Sequence, residues 1–278
     1  MRRLNFWRWA AAVLALLLPA AAARAADVAA TFSAFKAGSD RTIDHSAFSR
    51  LLATYVSPSA DGINRVRYGA FKAEGHKALK DYIATLEAAD VATLDRPEQF
   101  AFWANLYNAK TLDIVLDRYP VKSIKDINLG GSITTIVTGG PWKASTLKVA
   151  GLALSLDDIE HGILRKGFKD PRVHFAVNCA SIGCPNLATQ ALTGATLDAQ
   201  LNAGAKAYVN NPRGFRIENG VLKASSIYDW FKADFGGAPE GVLAHARKFA
   251  EPALKRELES ITTIDGFGYD WSLNDLKK

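Results

Sequence analysis

The chain has 278 residues, which suits one large domain or two small ones, and its apolar and charged fractions are those of an ordinary globular protein. The net charge of +6 is concentrated at the N-terminus, because residues 1–25 hold four arginines and no acidic residue. Without them, 30 basic and 28 acidic residues remain, and the basic ones are dispersed among the acids. This distribution argues against a nucleic-acid-binding face.

Residues 1–25 have the pattern of a secretory signal peptide. Their start is positively charged, residues 10–23 are apolar or small, and residues 23–25 (Ala-Arg-Ala) fit a small-x-small cleavage site. The apolar stretch is shorter than the ~20 residues of a membrane-spanning helix, so we expect no stable membrane span after cleavage. The sequence therefore predicts an exported bacterial protein, periplasmic rather than extracellular, with residues 26–278 as a single mature domain.

Apolar residues recur at helical spacing along most of this mature part. Helices are predicted at residues 44–55, 70–88, 99–119, 196–209, 226–235, 241–250 and 252–260, with a further helix opening at 155. Short strands are predicted at residues 63–68, 132–138 with 145–149 as hairpin partner, 215–217 with 221–223, and 267–271. This content predicts an α+β fold, a single helix-rich domain around a small mixed or antiparallel sheet.

The predicted helix at residues 99–119 is apolar nearly all round, so we expect it to be central, with neighbours on most sides. Asn105 and Asn108 share one face of this helix. A buried amide is costly unless it is hydrogen-bonded. The two side chains therefore either fix neighbouring backbone or line a site.

The segment 172–187 contains both cysteines of the chain, Cys179 and Cys184. A β-branched run leads into a loop that Gly and Pro interrupt, an arrangement that presents reactive groups from a rigid element. In an oxidising compartment the two cysteines would pair as a disulfide, stabilising the protein by on the order of 2–3 kcal/mol.

Thiol catalysis is a second interpretation of the same segment. If residues 172–179 form a strand, Cys179 lies on the face opposite His174, which would then be structural. His161, on the helix that opens at 155, becomes the candidate base. The remaining candidates are Asn105 or Asn108 as the orienting amide, Glu160 in the same polar site, and Arg172 and Ser181 as binding residues.

A third interpretation is a metal site with His174, Cys179 and Cys184 as ligands, since three protein ligands suffice for a catalytic zinc. The spacing matches no zinc signature, so no cofactor is favoured and zinc stays an alternative. A redox couple of the two cysteines is a variant of the thiol interpretation. Motifs for dinucleotides, nucleoside triphosphates and serine hydrolases do not occur in the sequence.

Four motifs together resemble the domain-of-unknown-function family 547 (DUF 547), with the core of the resemblance at about residues 90–205. They are Phe102-Trp103-Ala104-Asn105-Leu106-Tyr107-Asn108-Ala109, Ile159-Glu160-His161, the segment 172–185, and Tyr269-Asp270-Trp271-Ser272. The resemblance implies no settled activity. It does imply members in exported bacterial proteins and in intracellular plant proteins, some beside a glutaredoxin or a coiled coil. Because a purely structural disulfide is harder to explain in a reducing compartment, this range favours thiol, redox or metal use of the cysteines.

We therefore expect an exported protein with a Cys/His site for thiol-dependent acyl transfer or hydrolysis, with Cys179 as nucleophile and His161 as base. The alternatives are a non-catalytic envelope-binding module stapled by a Cys179–Cys184 disulfide, and a zinc or redox site at the two cysteines. The expected partner is a small-molecule or peptide substrate, or an envelope protein. A papain- or transglutaminase-like fold would suit such a site, by analogy only.

Overall fold

The protein is described by a computed structural model that covers residues 27–130 and 140–276. The predicted leader at 1–25 and the predicted strand at 132–138 lie outside the described residues. None of the helices within the two described ranges has the length and apolar character needed to cross a membrane.

The described part of the chain is helix-rich, and a helical stretch at residues 27–31 comes first. The α-helices that follow are α1 Ser46–Tyr55, α2 Tyr68–Ala70, α3 His76–Glu87, α4 Arg96–Arg118, α5 Lys166–Phe168, α6 Leu197–Val209, α7 Ile227–Trp230, α8 Pro239–Phe249 and α9 Pro252–Glu259. Two π-helices span Phe71–Gly75 and Asp158–Arg165. Short 3₁₀ helices span Val91–Thr93, Ile124–Asp126, Pro171–Phe175, Gly194–Thr196 and Lys232–Phe235.

The strands are short and form small sheets. They are β1 Val56–Pro58, β2 Asn64–Val66, β3 Leu147–Val149, β4 Leu152–Leu154, β5 Phe215–Glu218, β6 Val221–Ser225 and β7 Gly266–Gly268. The pairs β1–β2 and β3–β4 are antiparallel, whereas the third sheet, in the order β5-β6-β7, is antiparallel and then parallel. The predicted α+β class, with helices around small mixed sheets, is confirmed.

One strand prediction was wrong in detail. Among the described residues β3 pairs with β4, because residues 150 and 151 both adopt positive φ and reverse the chain there; the predicted pairing with 132–138 lies outside the described residues. The C-terminal strand is only Gly266–Gly268, and beyond it the chain leaves the sheet. The predicted hairpin of β5 and β6 is confirmed.

Helix α4 forms the centre of the larger hydrophobic core. The Asp95 carboxylate accepts a hydrogen bond from the Glu98 N–H and caps the helix, with Pro97 in the first turn. Every residue from 98 to 109 is buried, so the prediction of a helix with neighbours on most sides is confirmed. Pro120 ends it, since proline cannot donate to the preceding turn.

The segment 171–187 lies where two hydrophobic clusters meet. Val173 and Val177 pack into the cluster around α4, whereas Phe175 packs into a second cluster with α6 and α8. Residues 270–274 run alongside this segment. The Ile182 N–H donates to the Ser272 carbonyl, and the Gly183 N–H donates to the Asp270 carbonyl. The C-terminal segment therefore clamps the loop that carries the cysteines.

Candidate functional site

The cysteine segment begins as a 3₁₀ helix, Pro171–Phe175, so the condition that residues 172–179 form a strand is not met. Asp170 caps the turn by accepting from the Arg172 N–H at 2.9 Å, and Pro171 follows with a fixed φ. Because strand alternation does not apply, Cys179 and His174 are not separated onto opposite faces. Both side chains line one cleft.

Two buried amides hold this segment from behind. Asn108 donates to the Ala176 carbonyl and accepts from the Asn178 N–H, both at 2.8 Å. Asn105 makes the equivalent pair of hydrogen bonds with the backbone of Leu192. Both amides therefore fix backbone, the first of the two roles predicted for them, and neither lines the cleft.

The chain turns sharply at Cys179. The Asn178 side chain accepts from the Ala180 N–H and donates to the Pro185 carbonyl. Ala180 adopts a positive φ of 59°, a conformation that costs a non-glycine residue about 1 kcal/mol or more. Backbone strain of this kind, held by surrounding hydrogen bonds, is concentrated at functional sites.

The two cysteines face each other as free thiols. Their Sγ atoms are 2.9 Å apart, well beyond the ~2.05 Å of a disulfide bond. The predicted staple is therefore not formed in this structure. The Cys179 N–H also donates to the Cys184 Sγ at 3.0 Å. Cys184 is buried, whereas Cys179 is partly accessible.

Two hydroxyl groups approach the Cys179 sulfur. Tyr269 Oη lies at 3.0 Å and Ser181 Oγ at 3.2 Å, and the two oxygens are 2.9 Å from each other. When the sulfur is ionised, both hydroxyl hydrogens can point to it. Burial raises the pKa of Tyr269 well above its usual value, so this hydroxyl keeps its proton and remains a donor.

The surroundings favour the thiolate at Cys179 and not at Cys184. Burial opposes ionisation of Cys179, but hydrogen bonds from Cys184, Ser181 and Tyr269 outweigh it and lower the Cys179 pKa. Burial and the neighbouring Cys179 sulfur raise the pKa of Cys184 well above the usual thiol value. The pair therefore resembles a thiolate at Cys179 with a thiol donor at Cys184.

Two imidazoles line the same cleft, each held by other side chains. His174 Nε2 lies 2.7 Å from Asp234 Oδ2, and its ring stacks on Phe231 with centroids 4.3 Å apart. The carboxylate can only accept, which places a hydrogen on Nε2 and leaves Nδ1 as the free acceptor. Burial lowers the His174 pKa, while Asp234 opposes the shift.

His161 carries the opposite tautomer. The Arg165 guanidinium, which is itself paired with Asp234 at 2.6 Å, donates to His161 Nδ1 at 3.2 Å. Nδ1 is therefore the acceptor, and the proton of the neutral ring lies on Nε2. Among the described residues, no hydrogen bond joins either imidazole to the Cys179 sulfur.

The π-helix Asp158–Arg165 and its N-cap residue, Asp157, also place acidic groups at the cleft. Asp157 and Glu160 both line it, and burial together with the charge of Glu160 raises the Asp157 pKa. Burial and Glu160, which also accepts a hydrogen bond from it, raise the pKa of the Tyr107 hydroxyl. Single π-helical segments are frequent at functional sites.

The cleft has a volume of about 180 Å³ and mostly apolar walls. Its aromatic walls are formed by Trp142, Trp230, Phe231, Tyr269 and Trp271. Tyr269 contacts both Trp230 and Trp271, at centroid separations of 4.9 and 4.6 Å. The polar chemistry therefore lies at one end of an aromatic pocket, a combination typical of ligand sites.

The two predicted binding residues differ in their positions. Ser181 is buried against the cysteine sulfur, at the site itself. Arg172 forms ion pairs with Asp170 at 2.6 Å and Asp198 at 2.5 Å, and it does not line the cleft. The Arg172 guanidinium thus ties the 3₁₀ turn to α6.

The described residues do not bring together the three ligands of the alternative metal site. The ligand atoms of His174, Cys179 and Cys184 do not all lie within 4.8 Å of one another, although the two sulfurs do, whereas those of His76, Asp113 and Asp117 all lie within that distance. In that second cluster, Lys80 Nζ lies 3.0 Å from Asp117 and Lys110 Nζ lies 2.7 Å from Asp113. The ammonium groups therefore already occupy the place of a cation.

Several site residues escaped prediction because they are far away in sequence. Asp234 meets His174 across 60 residues, and Tyr269 meets Cys179 across 90. The signal available for Tyr269 was its place in the Tyr-Asp-Trp-Ser motif, but the sequence assigned this residue only to a predicted strand at 267–271. Nothing in the local sequence distinguishes Asp234 from a surface acid.

Comparison with curated proteins and with solved structures finds no match to this chain. Residues 91–209 match the model of a family described as "Protein of unknown function, DUF547". The matched range contains α4 with its two amides, the π-helix, and both cysteines. Asp234 and Tyr269 lie outside it. The similarity to the DUF547 family is therefore shown for residues 91–209, which are 119 of the 278 residues of the chain.

Proposed function

We propose that the cleft catalyses a thiol-dependent acyl transfer or hydrolysis, with Cys179 as the nucleophile. The observation that carries the proposal is the pair of hydroxyl donors, Tyr269 and Ser181, on the sulfur of Cys179, a half-buried residue that lines an aromatic pocket. A thiolate is the reactive form of cysteine, and donors that stabilise it raise its population near neutral pH.

The reaction would proceed in two steps. The Cys179 thiolate attacks the carbonyl carbon of an ester or amide, a C–S bond forms, and the carbonyl electron pair moves to oxygen. When the carbonyl re-forms, the C–O or C–N bond breaks, and the leaving alcohol or amine takes a proton from a cleft acid. Water or an amine then attacks the thioester, loses its proton to a base, and releases the acyl product with the thiolate restored.

We assign the base to His174, not to His161 as the sequence favoured. Asp234 holds His174 Nε2, and a free Nδ1 can accept a proton from the attacking water or amine. Such a His–carboxylate pair with the second nitrogen turned to the reaction is the arrangement of many nucleophilic hydrolases. His161 would then act as a donor, since its Nε2 carries the proton.

The remaining polar candidates do not carry out a bond-forming step themselves. Asn105 and Asn108 hold the backbone of the cysteine segment and are positioning residues. Glu160, the remaining catalytic candidate, adds negative charge that raises the Cys179 pKa, so its ionised form opposes the thiolate.

The test is the time course of aryl-ester cleavage. With p-nitrophenyl acetate, the unsubstituted protein should release a burst of one nitrophenolate per chain as the acyl-enzyme forms, followed by slower turnover. Cys179→Ala should remove the burst. His174→Ala should keep part of the burst but slow the later phase more than His161→Ala does. Equal bursts from the Cys179→Ala variant and the parent protein would refute the proposal.

A dithiol–disulfide couple is a second candidate, favoured by the 2.9 Å separation of the two Sγ atoms. Oxidation by a small disulfide would form the Cys179–Cys184 bond and release two small thiols, leaving a disulfide-bonded binding module without a nucleophile.

We propose that either activity operates in the bacterial envelope after removal of residues 1–25, on a small molecule, a peptide or an envelope protein. A count of free thiols in protein isolated from the periplasm separates the two candidates.

A further inference from the structure

A second cavity lies beside the cleft, on the other side of Tyr269. It has a volume of about 450 Å³ and runs between the loop at Ile182-Gly183 and the sheet β5-β6-β7. Tyr269 lines both cavities. We call the second one the basic groove, because its lining holds Arg213, Arg216 and Lys223 against a single acid, Asp270.

The sheet register arranges part of this charge in a row. Arg216 pairs with Lys223, and Lys223 pairs with Gly266, so the three positions lie side by side on one face. Lys223 is exposed and has no ion-pair partner among the described residues, whereas Arg216 is paired with Glu218 at 2.9 Å. The row therefore presents an unpaired cation next to a residue without a side chain.

Arg213 adds a third positive group from the opposite wall. Its two terminal nitrogens donate to the Ile182 carbonyl and to Asn186 Oδ1, at 3.0 and 2.6 Å. Its Nε is buried and finds no hydrogen-bond partner in the described part of the chain. The hydrogen bonds thus fix the orientation of the Arg213 guanidinium in the groove wall, and no carboxylate among the described residues forms an ion pair with it.

Two glycines in β7 have no explanation inside the protein. A Cβ added at Gly266 or Gly268 would meet nothing within 4 Å, and neither residue has a positive φ. Glycine weakens a strand, and in a strand it often marks the close approach of another backbone or a ligand. β7 is moreover the edge of its sheet within the described ranges, with one side unpaired by any strand.

From these features we infer that the basic groove binds an extended peptide segment carrying acidic side chains. An extended backbone can lie close to Gly266 and Gly268 along the open edge of β7, as in strand addition. Carboxylates on that segment would meet Lys223 and Arg213. The surface of a folded protein or a nucleic-acid duplex would not enter a groove of this size. A single small anion would not account for the absence of side chains at Gly266 and Gly268.

The groove leads towards the candidate nucleophile. A peptide in it would pass Tyr269, whose hydroxyl lies 3.0 Å from the Cys179 sulfur. That such a peptide is the acyl donor rests on the proposed function, whereas its binding does not. The two statements can therefore fail separately.

Binding is tested by fluorescence anisotropy of a labelled decapeptide of alternating Ser and Glu, with the matching Ser–Lys and Ser–Gln peptides as probes of charge. We expect saturable binding of the Ser–Glu peptide alone, weakened by added salt. Lys223→Glu should weaken it by about fivefold or more. Gly266→Val, which fills open space in a strand, should abolish it while leaving the melting temperature unchanged or higher.

The matched controls are Lys255→Glu, the same charge reversal outside the groove, and Gly167→Ala, a glycine substitution on another surface. Both should bind as the parent protein does. Absence of Ser–Glu binding, or unchanged binding by both Lys223→Glu and Gly266→Val, would overturn the inference. If Gly266→Val does not fold, the inference is judged on the binding of the Ser–Glu peptide by Lys223→Glu alone. Peptide binding without an acyl burst would refute the proposed function but would still support the basic groove as a peptide-binding site.

Discussion

Replacing Tyr269 by Phe removes one of the two hydroxyl donors to the Cys179 sulfur and keeps the aromatic ring. A hydrogen bond to a charged group contributes about 1.5–3 kcal/mol, and one pKa unit corresponds to about 1.4 kcal/mol. Because Tyr269 Oη stabilises the thiolate more than the thiol, its loss should raise the Cys179 pKa by about 1 to 2 units. Ser181, freed from Tyr269, can turn fully to the sulfur, which favours the lower figure.

The pKa is measured from the rate of alkylation by iodoacetamide as a function of pH, since only the thiolate reacts. Peptide mapping by mass spectrometry assigns the rate to Cys179 and separates it from Cys184. Tyr119→Phe is the matched control. It removes a hydroxyl that donates to Asp275 at 3.0 Å and does not contact the cysteine pair.

The Tyr269→Phe profile should shift to higher pH, and the Tyr119→Phe profile should overlay that of the parent protein. A Cys179 pKa that stays the same or falls in Tyr269→Phe would refute the account of how the thiolate is stabilised. A shift of equal size in Tyr119→Phe would do so as well, because it would show a general loss of structure.

Three further expectations follow from the same geometry. Asn108→Ala should lower the free energy of unfolding by roughly 1–3 kcal/mol in urea titrations, because it leaves the buried Asn178 N–H and the half-buried Ala176 carbonyl without their partner. Unchanged stability would contradict the role of Asn108 in holding this backbone. His174 and Arg165 hold the pKa of Asp234 low against the opposing effect of burial, so ionised Asp234 stabilises the fold above its unfolded-state pKa and this stabilisation is lost as pH falls. Asp234→Asn should therefore remove part of the loss of stability below about pH 4. An unaltered curve of stability against pH would count against the interactions of Asp234 with His174 and Arg165. Burial lowers the His245 pKa to about 4, so between that pH and 6.5 the unfolded state binds more protons than the folded state. The melting temperature should therefore drop as pH falls through this window, and His245→Phe should make the drop smaller. A larger drop in His245→Phe would be inconsistent with a buried neutral imidazole.

Features that depend on neighbours in sequence could be predicted. Asp95 and Pro97 mark the start of α4, and Pro120 marks its end, because caps and proline act within one turn. The roles open to Asn105 and Asn108 followed from the cost of burying an amide. Which backbone they hold could not follow, since their partners lie 68 to 87 residues away.

The error at residues 172–179 had a local cause. The β-branched and aromatic run was given more weight than Asp170-Pro171, which nucleates a helical turn. That one choice separated His174 from Cys179 and moved the base to His161. Alternation arguments fail completely when the period is wrong, because every side chain then changes its neighbours.

The most direct test of the central claim, that Cys179 is the nucleophile, is to locate the acyl group after rapid acid quench of the reaction with p-nitrophenyl acetate. Peptide mapping should place the acetyl group on Cys179 as a thioester that hydroxylamine removes. The Cys184→Ala variant should still carry it there. An acetyl group on Cys184, on a lysine, or on no residue at all would contradict the account.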